Sequence, residues 1–413
     1  MNYSWFFFYY KRKSLISIIL AFVILLSYSS NSMIVAYSDE KDIEHIALEV
    51  NGLANEIQSK SCVLMEASTG TVLYDKSMND KLSPASITKI MTLLLIFEAI
   101  GNSEIDLDDE VVTSAYAKSM GGSQVFLEEG EKQTVETLIK CIVVASGNDA
   151  CVAMAEYISG SEDKFVEQMN KKASELGMKN TRFEDCCGLC DSDNHYTSAY
   201  DVAIMSRELI VKYPEIYNYS KIWMENITHI TDKGQSEFGL SSTNKLLKQY
   251  QYTTGLKTGS TSKAKYCVSA TAKKGDVDLI AVIMGAPDYK IRFKEAEALL
   301  EYGFEICKVY SDNNSDLKQY IKVKGGESEQ IKVMAEKEFN YVSTKEDNFT
   351  NIKKNIIYNK KMVAPIKKGD TIGKIIYYID KNEIGKVDIV ACEDVPKANY
   401  FHRLKYVFTK YIL

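Results

Sequence analysis

The alternation of apolar and polar positions predicts a folded region that begins with β-strands and continues with helices. Two β-prone runs between residues 62 and 74 flank a Ser-Thr-Gly turn at 68–70, which predicts a hairpin. Residues 84–100 are apolar nearly all round and predict a helix buried at the centre of its domain. Further helical periodicity covers residues 132–158, 162–176 and 198–211.

Strand patterns return near residue 252 and include a second predicted hairpin, Tyr266–Lys273 with Val277–Met284. A helical pattern at residues 290–307 follows. The order of strands, helices, strands and a helix predicts an α+β domain, in which helices surround an antiparallel sheet. Short alternating strands at residues 316–394 then predict a small all-β domain. We expect the first domain to span residues 39–308 and the second to span 316–394.

Residues 1–38 have the organisation of a signal peptide. A basic cluster at residues 11–13 precedes the apolar run Leu15–Leu26 and a polar stretch. Cleavage after Ser38 would place small residues, Ala36 and Ser38, at the positions that such a site requires. An uncleaved anchor that extends through Val35 is the alternative.

The C-terminal segment, residues 395–413, contains basic side chains and no acidic one: Lys397, Arg403, Lys405 and Lys410. Apolar residues recur between Tyr400 and Ile412 at spacings that give a helix one apolar and one basic face. Such a helix is too short to span a bilayer but is typical of a membrane interface. A terminal helix packed on the protein's own surface is the alternative.

Charge and cysteine content narrow the possible functions. The formal net charge of −6 argues against nucleic acid as a partner. Cys186, Cys187 and Cys190 lie close to His195 in the sequence and could hold zinc, although the chemistry inferred below requires neither a metal nor another cofactor. The other cysteines lie in apolar runs that predict buried free thiols: Cys62, Cys141, Cys151, Cys267, Cys307 and Cys392.

The sequence Ser86-Ile87-Thr88-Lys89 opens the predicted buried helix and places its serine and lysine on one helical face. The same spacing recurs at Ser161, Ser242 and Ser260, so the pattern alone is weak. The setting distinguishes Ser86, because a helix N-terminus favours developing negative charge and apolar surroundings disfavour a charged ammonium. The pair therefore predicts a serine nucleophile with a lysine base.

Two further groups fit the same chemistry. The tripeptide Lys257-Thr258-Gly259 occurs once and offers a second ammonium at the start of the strand region. Ser146-Gly147-Asn148, on a loop between two helices, offers a hydroxyl that can pass a proton and an amide that can hold a substrate. The similar sequences at residues 192–194 and 311–313 indicate solvated turns.

The motifs S-x-x-K, S-x-N and K-T-G occur in this order, 60 and then 111 residues apart. Penicillin-binding proteins and β-lactamases share this set. The chain resembles a low-molecular-mass penicillin-binding protein of the serine D-alanyl-D-alanine carboxypeptidase type, within the β-lactamase/transpeptidase-like superfamily. The likeness covers nearly the whole mature chain and is also carried by residues 84–92, 121–124, 195–201, 243–247, 255–259 and 364–370.

The resemblance implies a reaction. Ser86 would attack the carbonyl between the two D-alanines of a peptidoglycan stem peptide, and Lys89 would take its proton. Ser146 would relay protons to the leaving amine, and water would then release the shortened peptide. β-Lactam antibiotics would acylate the same serine as covalent inhibitors. The predicted signal peptide places this activity on the outer face of a bacterial cell membrane.

The resemblance also implies substrate-binding residues. Asn148 would hold the substrate's peptide group. Lys257 and Thr258, followed by Gly259, would meet the free carboxylate. Arg292 would be a second carboxylate anchor, with a surface arginine as the alternative.

Backbone groups complete the implied site. The N–H groups of Ser86 and Ser260 would bind the oxyanion. Asp201 and His195 are expected to have structural roles below it. The sequence Cys186-Cys187-Gly188-Leu189 departs from the polar residues that are typical before the Gly-Leu pair, so the shape of this loop stays open.

Two other functions fit parts of the sequence. A serine β-lactamase would need a carboxylate for its deacylating water, typically a Glu with Asn four residues later, and no Glu between residues 146 and 257 has one. A non-catalytic wall-binding protein would have no need for a desolvated lysine beside a serine. We therefore expect an enzyme that trims cell-wall peptides.

Overall fold

The computed structural model describes residues 57–402 except 233, 346 and 360, together with residues 404 and 408. From Ile57 onward the chain belongs to one compact unit. The predicted signal peptide lies outside the described residues, as do Arg403, Lys405 and Lys410 of the predicted tail helix.

A five-stranded antiparallel sheet forms the centre of the first domain, with its strands in the order 72–76, 61–66, 277–286, 265–274 and 253–261. Both predicted hairpins are pairs of neighbouring strands in this sheet and are confirmed. The strands of this domain are β1 (Ser61–Glu66), β2 (Val72–Lys76), β3 (Glu110–Val112), β4 (Lys132–Thr134), β5 (Met224–Thr231), β6 (Gly234–Ser241), β7 (Thr253–Thr261), β8 (Lys265–Lys274) and β9 (Val277–Ala286).

Helices surround this sheet, which confirms the predicted α+β class. The helices are α1 (Lys89–Gly101), α2 (Ala115–Lys118), α3 (Val135–Val143), α4 (Asn148–Ser159), α5 (Glu162–Glu175), α6 (Ala199–Lys212), α7 (Tyr217–Ser220), α8 (Leu246–Gln249) and α9 (Tyr289–Ile306). The helical pattern at residues 132–158 divides into β4, α3 and α4, and the connection between α3 and α4 carries Ser146.

Helix α1 is the buried element that the sequence predicts. Apart from the half-buried Glu98, its residues are apolar on nearly every face, and even the polar Lys89 and Thr92 are completely buried. The first residues of the predicted helix, Ala85–Thr88, form a 3-10 turn that leads directly into α1. A helix that is apolar all round must be enclosed on all sides, so α1 positions this turn within the core.

The hairpin β5–β6 is absent from the sequence prediction. Its strands pair antiparallel over eight positions, but few of their side chains are buried. A mostly solvated two-stranded ribbon has little apolar alternation, and that alternation is the signal by which strands are predicted.

The second domain is all-β, as predicted. Its strands are β10 (Lys308–Asp312), β11 (Tyr320–Lys322), β12 (Gln330–Ala335), β13 (Phe339–Ser343), β14 (Ile352–Tyr358), β15 (Thr371–Ile379) and β16 (Asn382–Ala391). Five of them form the sheet β11-β12-β16-β15-β14. Isolated bridges also join Val395 to Ile366 and Lys397 to Gly326, so contacts of this domain extend into the first residues of the predicted tail.

The described residues from Tyr400 onward are helical, and most of them are apolar, while His402 lies 3.5 Å from Glu327 of the β domain. Tyr400, Phe401, Leu404 and Phe408 are exposed rather than packed on the domain. Among the described residues, no helix has the length and apolar character needed to cross a membrane.

All nine cysteines are free thiols, and seven of them are buried. Cys190 and Cys392 are half-buried. Among the described residues, no cluster of His, Cys, Asp and Glu is arranged to hold a metal ion.

Candidate active site

The candidate nucleophile lies in the tight turn that leads into α1. Ser86 is half-buried there, next to Ala85, whose φ of +48° is uncommon for a residue with a side chain. Two glycines approach the turn closely. A Cβ on Gly188 would lie 1.8 Å from the carbonyl oxygen of Ala85, and a Cβ on Gly259 would lie 2.9 Å from the nitrogen of Ser86. The turn is therefore enclosed by backbone on two sides.

Lys89 is completely buried, and its ammonium group has an acceptor for each of its three N–H donors. Nζ donates to Oγ of Ser86 at 3.1 Å, to Oδ1 of Asn148 at 2.6 Å and to the carbonyl oxygen of Cys187 at 2.7 Å. The serine and lysine of the first motif thus lie within hydrogen-bond distance, and the amide of the second motif orients the lysine.

Ser146 lies between α3 and α4 with a φ of +63°. Its Oγ accepts a hydrogen bond from Nζ of Lys257 at 2.9 Å. Asn148 is the first residue of α4, and its Nδ2 donates to the carbonyl oxygen of Gly121 at 2.7 Å. The second motif therefore connects both lysines: its serine contacts Lys257 and its asparagine contacts Lys89.

Lys257 has an unusual electrostatic environment. Burial, and then the charge of the nearby Lys89, lowers the pKa of Lys257 well below its ordinary value, and Arg292 acts in the same direction. A lysine with a lowered pKa can exchange a proton near neutral pH. Because it contacts Ser146, Lys257 can take part in proton transfer as well as bind a carboxylate.

The rest of the third motif lies along β7 beside the nucleophile turn. Oγ1 of Thr258 is 2.6 Å from Oγ1 of Thr243. Gly259 faces the turn with no side chain between the two backbones. Ser260, the next residue, is exposed. The structure thus brings Ser86, Lys89, Ser146, Asn148 and the Lys-Thr-Gly strand together.

Arg292 is buried on α9, which excludes the alternative of a surface arginine. Its Nη1 donates to the carbonyl oxygens of Gly259 and Cys267, at 3.1 Å and 3.2 Å. The guanidinium carbon lies 4.7 Å from the centre of the Phe293 ring. Burial lowers the pKa of Arg292. Through these hydrogen bonds Arg292 holds β7 against β8 and places a positive charge next to β7.

Sequence reasoning missed Asp185, which organises the loop below Lys89. Its carboxylate accepts hydrogen bonds from the backbone N–H groups of Cys187 at 2.9 Å, of Cys190 at 2.5 Å and of Gly188. An aspartate that binds backbone N–H groups two and three residues later forms an Asx-type turn. An Asp followed closely by glycine was the available signal. The turn directs the carbonyl of Cys187 toward Lys89.

His195 and Asp201 hold the surroundings of the site. Nδ1 of His195 accepts from the N–H of Glu184 at 3.0 Å, so Nε2 carries the proton and donates to Oγ1 of Thr88 at 2.9 Å. Asp201 accepts from the hydroxyl of Thr181 at 2.7 Å. These contacts join the nucleophile turn to the loop that precedes α6.

Comparisons with known proteins agree with this geometry. The sequence profile of the D-alanyl-D-alanine carboxypeptidase family matches residues 48–288, more than half of the chain. The chain belongs to this family. As a D-alanyl-D-alanine carboxypeptidase family member it also carries, at residues 304–397, a match to the C-terminal domain of penicillin-binding protein 5.

Named relatives match between 83% and 95% of the chain. The D-alanyl-D-alanine carboxypeptidase DacF of Bacillus subtilis is 41% identical over 95% of this chain and 97% of its own length. DacD of Escherichia coli is 36% identical over 86% of this chain and 91% of its own. The crystal structure of penicillin-binding protein 5 from Haemophilus influenzae is similar, with 31% identity and a TM-score of 0.66 over 83% of this chain and 98% of that one. The resemblance inferred from the motifs is confirmed.

The contact at Gly259 predicts the effect of a small substitution. In Gly259→Ala the new Cβ meets the nitrogens of Ser86 and Ile87 and the oxygen of Pro84 at 2.9 Å, so strand and turn must separate. We expect the rate of acylation by penicillin to fall about 100-fold, because small displacements of reacting groups cost that much. Gly121→Ala is the control, since its Cβ would enter open space. Equal acylation rates in the two variants would contradict the prediction.

His195 predicts a pH dependence of stability. Burial lowers the pKa of His195, so the unfolded chain binds the proton first as the pH falls below the ordinary histidine value. The free energy of unfolding should therefore decrease between pH 7.5 and 5, by at most about 1.4 kcal/mol per pH unit from this group. In His195→Gln the amide keeps both hydrogen bonds and does not titrate. Urea unfolding of both proteins across this range checks the difference, and parallel pH profiles would refute it.

Proposed function

We propose that this chain removes the terminal D-alanine from peptidoglycan stem peptides through an acyl-enzyme on Ser86. The observation that carries the proposal is the contact of the Ser86 hydroxyl with the buried amine of Lys89 at 3.1 Å, in a site that also contains Ser146 and Lys257. Membership in the D-alanyl-D-alanine carboxypeptidase family supports the same substrate.

In the acylation step, Lys89 first loses one of its three ammonium protons. The resulting amine takes the proton of Ser86 as Oγ attacks the carbonyl carbon between the two D-alanines. The bond to the nitrogen of the terminal D-alanine then breaks. That amine needs a proton in order to leave, and the hydrogen bond between Ser146 and Lys257 supports a relay through these two residues. Water attacks the ester in the second half of the reaction and restores the serine.

Stabilisation of the oxyanion is assigned to the backbone N–H groups of Ser86 and Ser260. Gly259 supports this assignment, because the missing side chain lets β7 approach the nucleophile turn. One such donor is typically worth about 3 to 4 kcal/mol of transition-state stabilisation.

Substrate binding is assigned to Asn148 for the peptide group and to Lys257 and Thr258 for the terminal carboxylate. Arg292 reinforces the carboxylate site electrostatically from behind β7, because its guanidinium is bonded to the carbonyl oxygens of Gly259 and Cys267. β-Lactam antibiotics, which carry a carboxylate and an acylating carbonyl, would occupy the same site.

We assign the chain to four segments: a signal peptide at 1–38, the catalytic domain at 39–308, the β domain at 316–394 and a tail at 395–413, in which an amphipathic helix follows the bridges of Val395 and Lys397. Export to the outer face of the membrane rests on the leader sequence. Attachment there rests on the exposed aromatic residues of the tail, such as Phe401 and Phe408, and on the basic residues between them.

The first test of the function is intact-mass spectrometry of the purified protein after incubation with penicillin. We expect a covalent adduct on the wild type and none on Ser86→Ala. Ser161→Ala is the matched control, because Ser161 has the same spacing to a lysine but only caps helix α5. The wild type should also release D-alanine from a peptide that ends in Lys-D-Ala-D-Ala. An adduct that persists in Ser86→Ala would sink the assignment of the nucleophile.

The second test concerns the tail and uses co-sedimentation with anionic lipid vesicles. Wild type should sediment, and less of it at high salt, because the basic residues contribute electrostatically. The double variant Phe401→Ser and Phe408→Ser should remain in solution. Tyr320→Ser is the control, since Tyr320 is similarly exposed but belongs to the β domain. Undiminished sedimentation of the double variant would exclude the tail as the anchor.

A further inference from the structure

A cavity of about 690 Å³ lies at the end of the central sheet that is remote from the nucleophile turn. Glu66 at the end of β1, Thr253 at the start of β7 and Asp278 near the start of β9 line it, together with Asn340 of β13 in the second domain. Thr253 and Ser260 lie at opposite ends of β7, about 20 Å apart at the rise of an extended strand. The cavity is therefore separate from the Ser86 site.

Asp278 has unused hydrogen-bonding capacity at this cavity. Its half-buried carboxylate accepts from the hydroxyl of Tyr217, at 3.1 Å and 3.4 Å to its two oxygens, and no other donor among the described residues is bonded to it. Burial raises the pKa of Asp278 to about 6. A carboxylate offers about four acceptor positions, and a shielded polar group without partners costs free energy. A ligand with two adjacent donors would satisfy it.

Ser68 presents a second polar group that has no partner. Its Oγ is shielded from solvent and forms no hydrogen bond within the described chain. The backbone of Ser68 is held on both sides, since its N–H donates to Glu66 at 2.9 Å and its carbonyl accepts from Arg207 at 2.7 Å. The hydroxyl therefore stays on the cavity wall, where a bound hydroxyl or amide could reach it.

The remaining walls decide the chemical class of the ligand. Apolar and aromatic surface comes from Ile210, Pro214 and Tyr252, which suits the carbon-bound hydrogens of a ring. The charges around the cavity are mixed: the ammonium groups of Lys221 and Lys273 face the carboxylates of Glu66, Asp276 and Asp278. The carboxylate of Glu66 is already bonded to the N–H groups of Ser68 and Thr69. The small excess of negative charge disfavours an anion, and the two ammonium groups disfavour a cation. The mixture therefore favours an uncharged ligand rich in hydroxyl groups.

We propose that this cavity binds a neutral saccharide of one or two rings, and that it holds the glycan part of the cell-wall polymer whose peptides the enzyme trims. The second clause rests on the proposed function. The volume is within the usual range for small-ligand sites. Two linked sites on one polymer raise the effective concentration of the peptide at Ser86 without any new contact there.

The test uses an N-acetylglucosamine disaccharide as the probe, titrated calorimetrically into protein whose Ser86 is first acylated with penicillin, so that the catalytic site is closed. Val211 lines the cavity and is 51% exposed, so Val211→Trp should fill the cavity from the surface. Val112, on β3, is 55% exposed and does not line the cavity, so Val112→Trp is the matched control. We expect Val211→Trp to weaken binding by about tenfold or more, and Val112→Trp to leave it unchanged.

Asp278→Asn is a second variant that keeps the hydrogen bond with Tyr217 and removes the charge. It should lower the affinity for the disaccharide by several fold, as expected for the loss of a charge-assisted hydrogen bond. Equal affinity in Val211→Trp, or no binding to the wild type at millimolar concentrations, would overturn the saccharide site.

The peptide reaction separates this proposal from the proposed function. Val211→Trp should release D-alanine from a free peptide at the wild-type rate and more slowly from a glycan-linked peptide. Wild type that releases none from either substrate would contradict the enzyme assignment alone, and the titration on unacylated protein would still test the saccharide site. Equal loss of both rates in Val211→Trp would show disturbance of the fold and count against a separate site.

Discussion

The buried ammonium of Lys89 is the interaction on which the rest of the site depends. Its acceptors come from three separate parts of the chain: the turn that contains Ser86, the first residue of α4 and the loop after α5. None of these acceptors is a carboxylate, so the cation is stabilised by neutral groups alone. A buried charge is costly unless it is fully hydrogen bonded. Moving any one of these segments would break a hydrogen bond of the buried lysine and cost free energy. The lysine therefore fixes the positions of the three segments relative to one another.

Backbone contacts without side chains give the site its shape. Gly188 and Gly259 bring a loop and a strand against the two sides of the nucleophile turn. The turn itself contains an uncommon backbone conformation at Ala85, which these neighbours maintain. Arg292 then supports the same strand from behind. The catalytic groups are thus positioned mainly by main-chain packing, which is more rigid than contacts between flexible side chains.

Much of this arrangement was accessible from the sequence. The hairpins, the buried helix and the second β domain follow from local periodicity, and the three motifs follow from their order and spacing. Ser86 stands apart from the equally spaced Ser161 because only Ser86 opens an apolar helix, while Ser161 caps the amphipathic α5. The contact of His195 with Thr88 and that of Lys89 with the carbonyl of Cys187 were not accessible. They join segments that are distant along the chain, and local patterns contain no information on such pairs.

The pairing of β1 with β9 has a consequence for how the chain becomes folded. Cys62 lies opposite Ile283, so the middle of the central sheet joins the first strand of the domain to the last. Contacts between such distant residues form slowly, because the entropy of closing a long loop is lost before the stabilising contacts can form. During synthesis the N-terminal part of the chain is available first. Strand β1 therefore keeps an apolar edge without a partner until β9, which begins at residue 277, is also available. Completion of the sheet is then a single late event, and a fragment cut before β9 is left with an edge that favours aggregation.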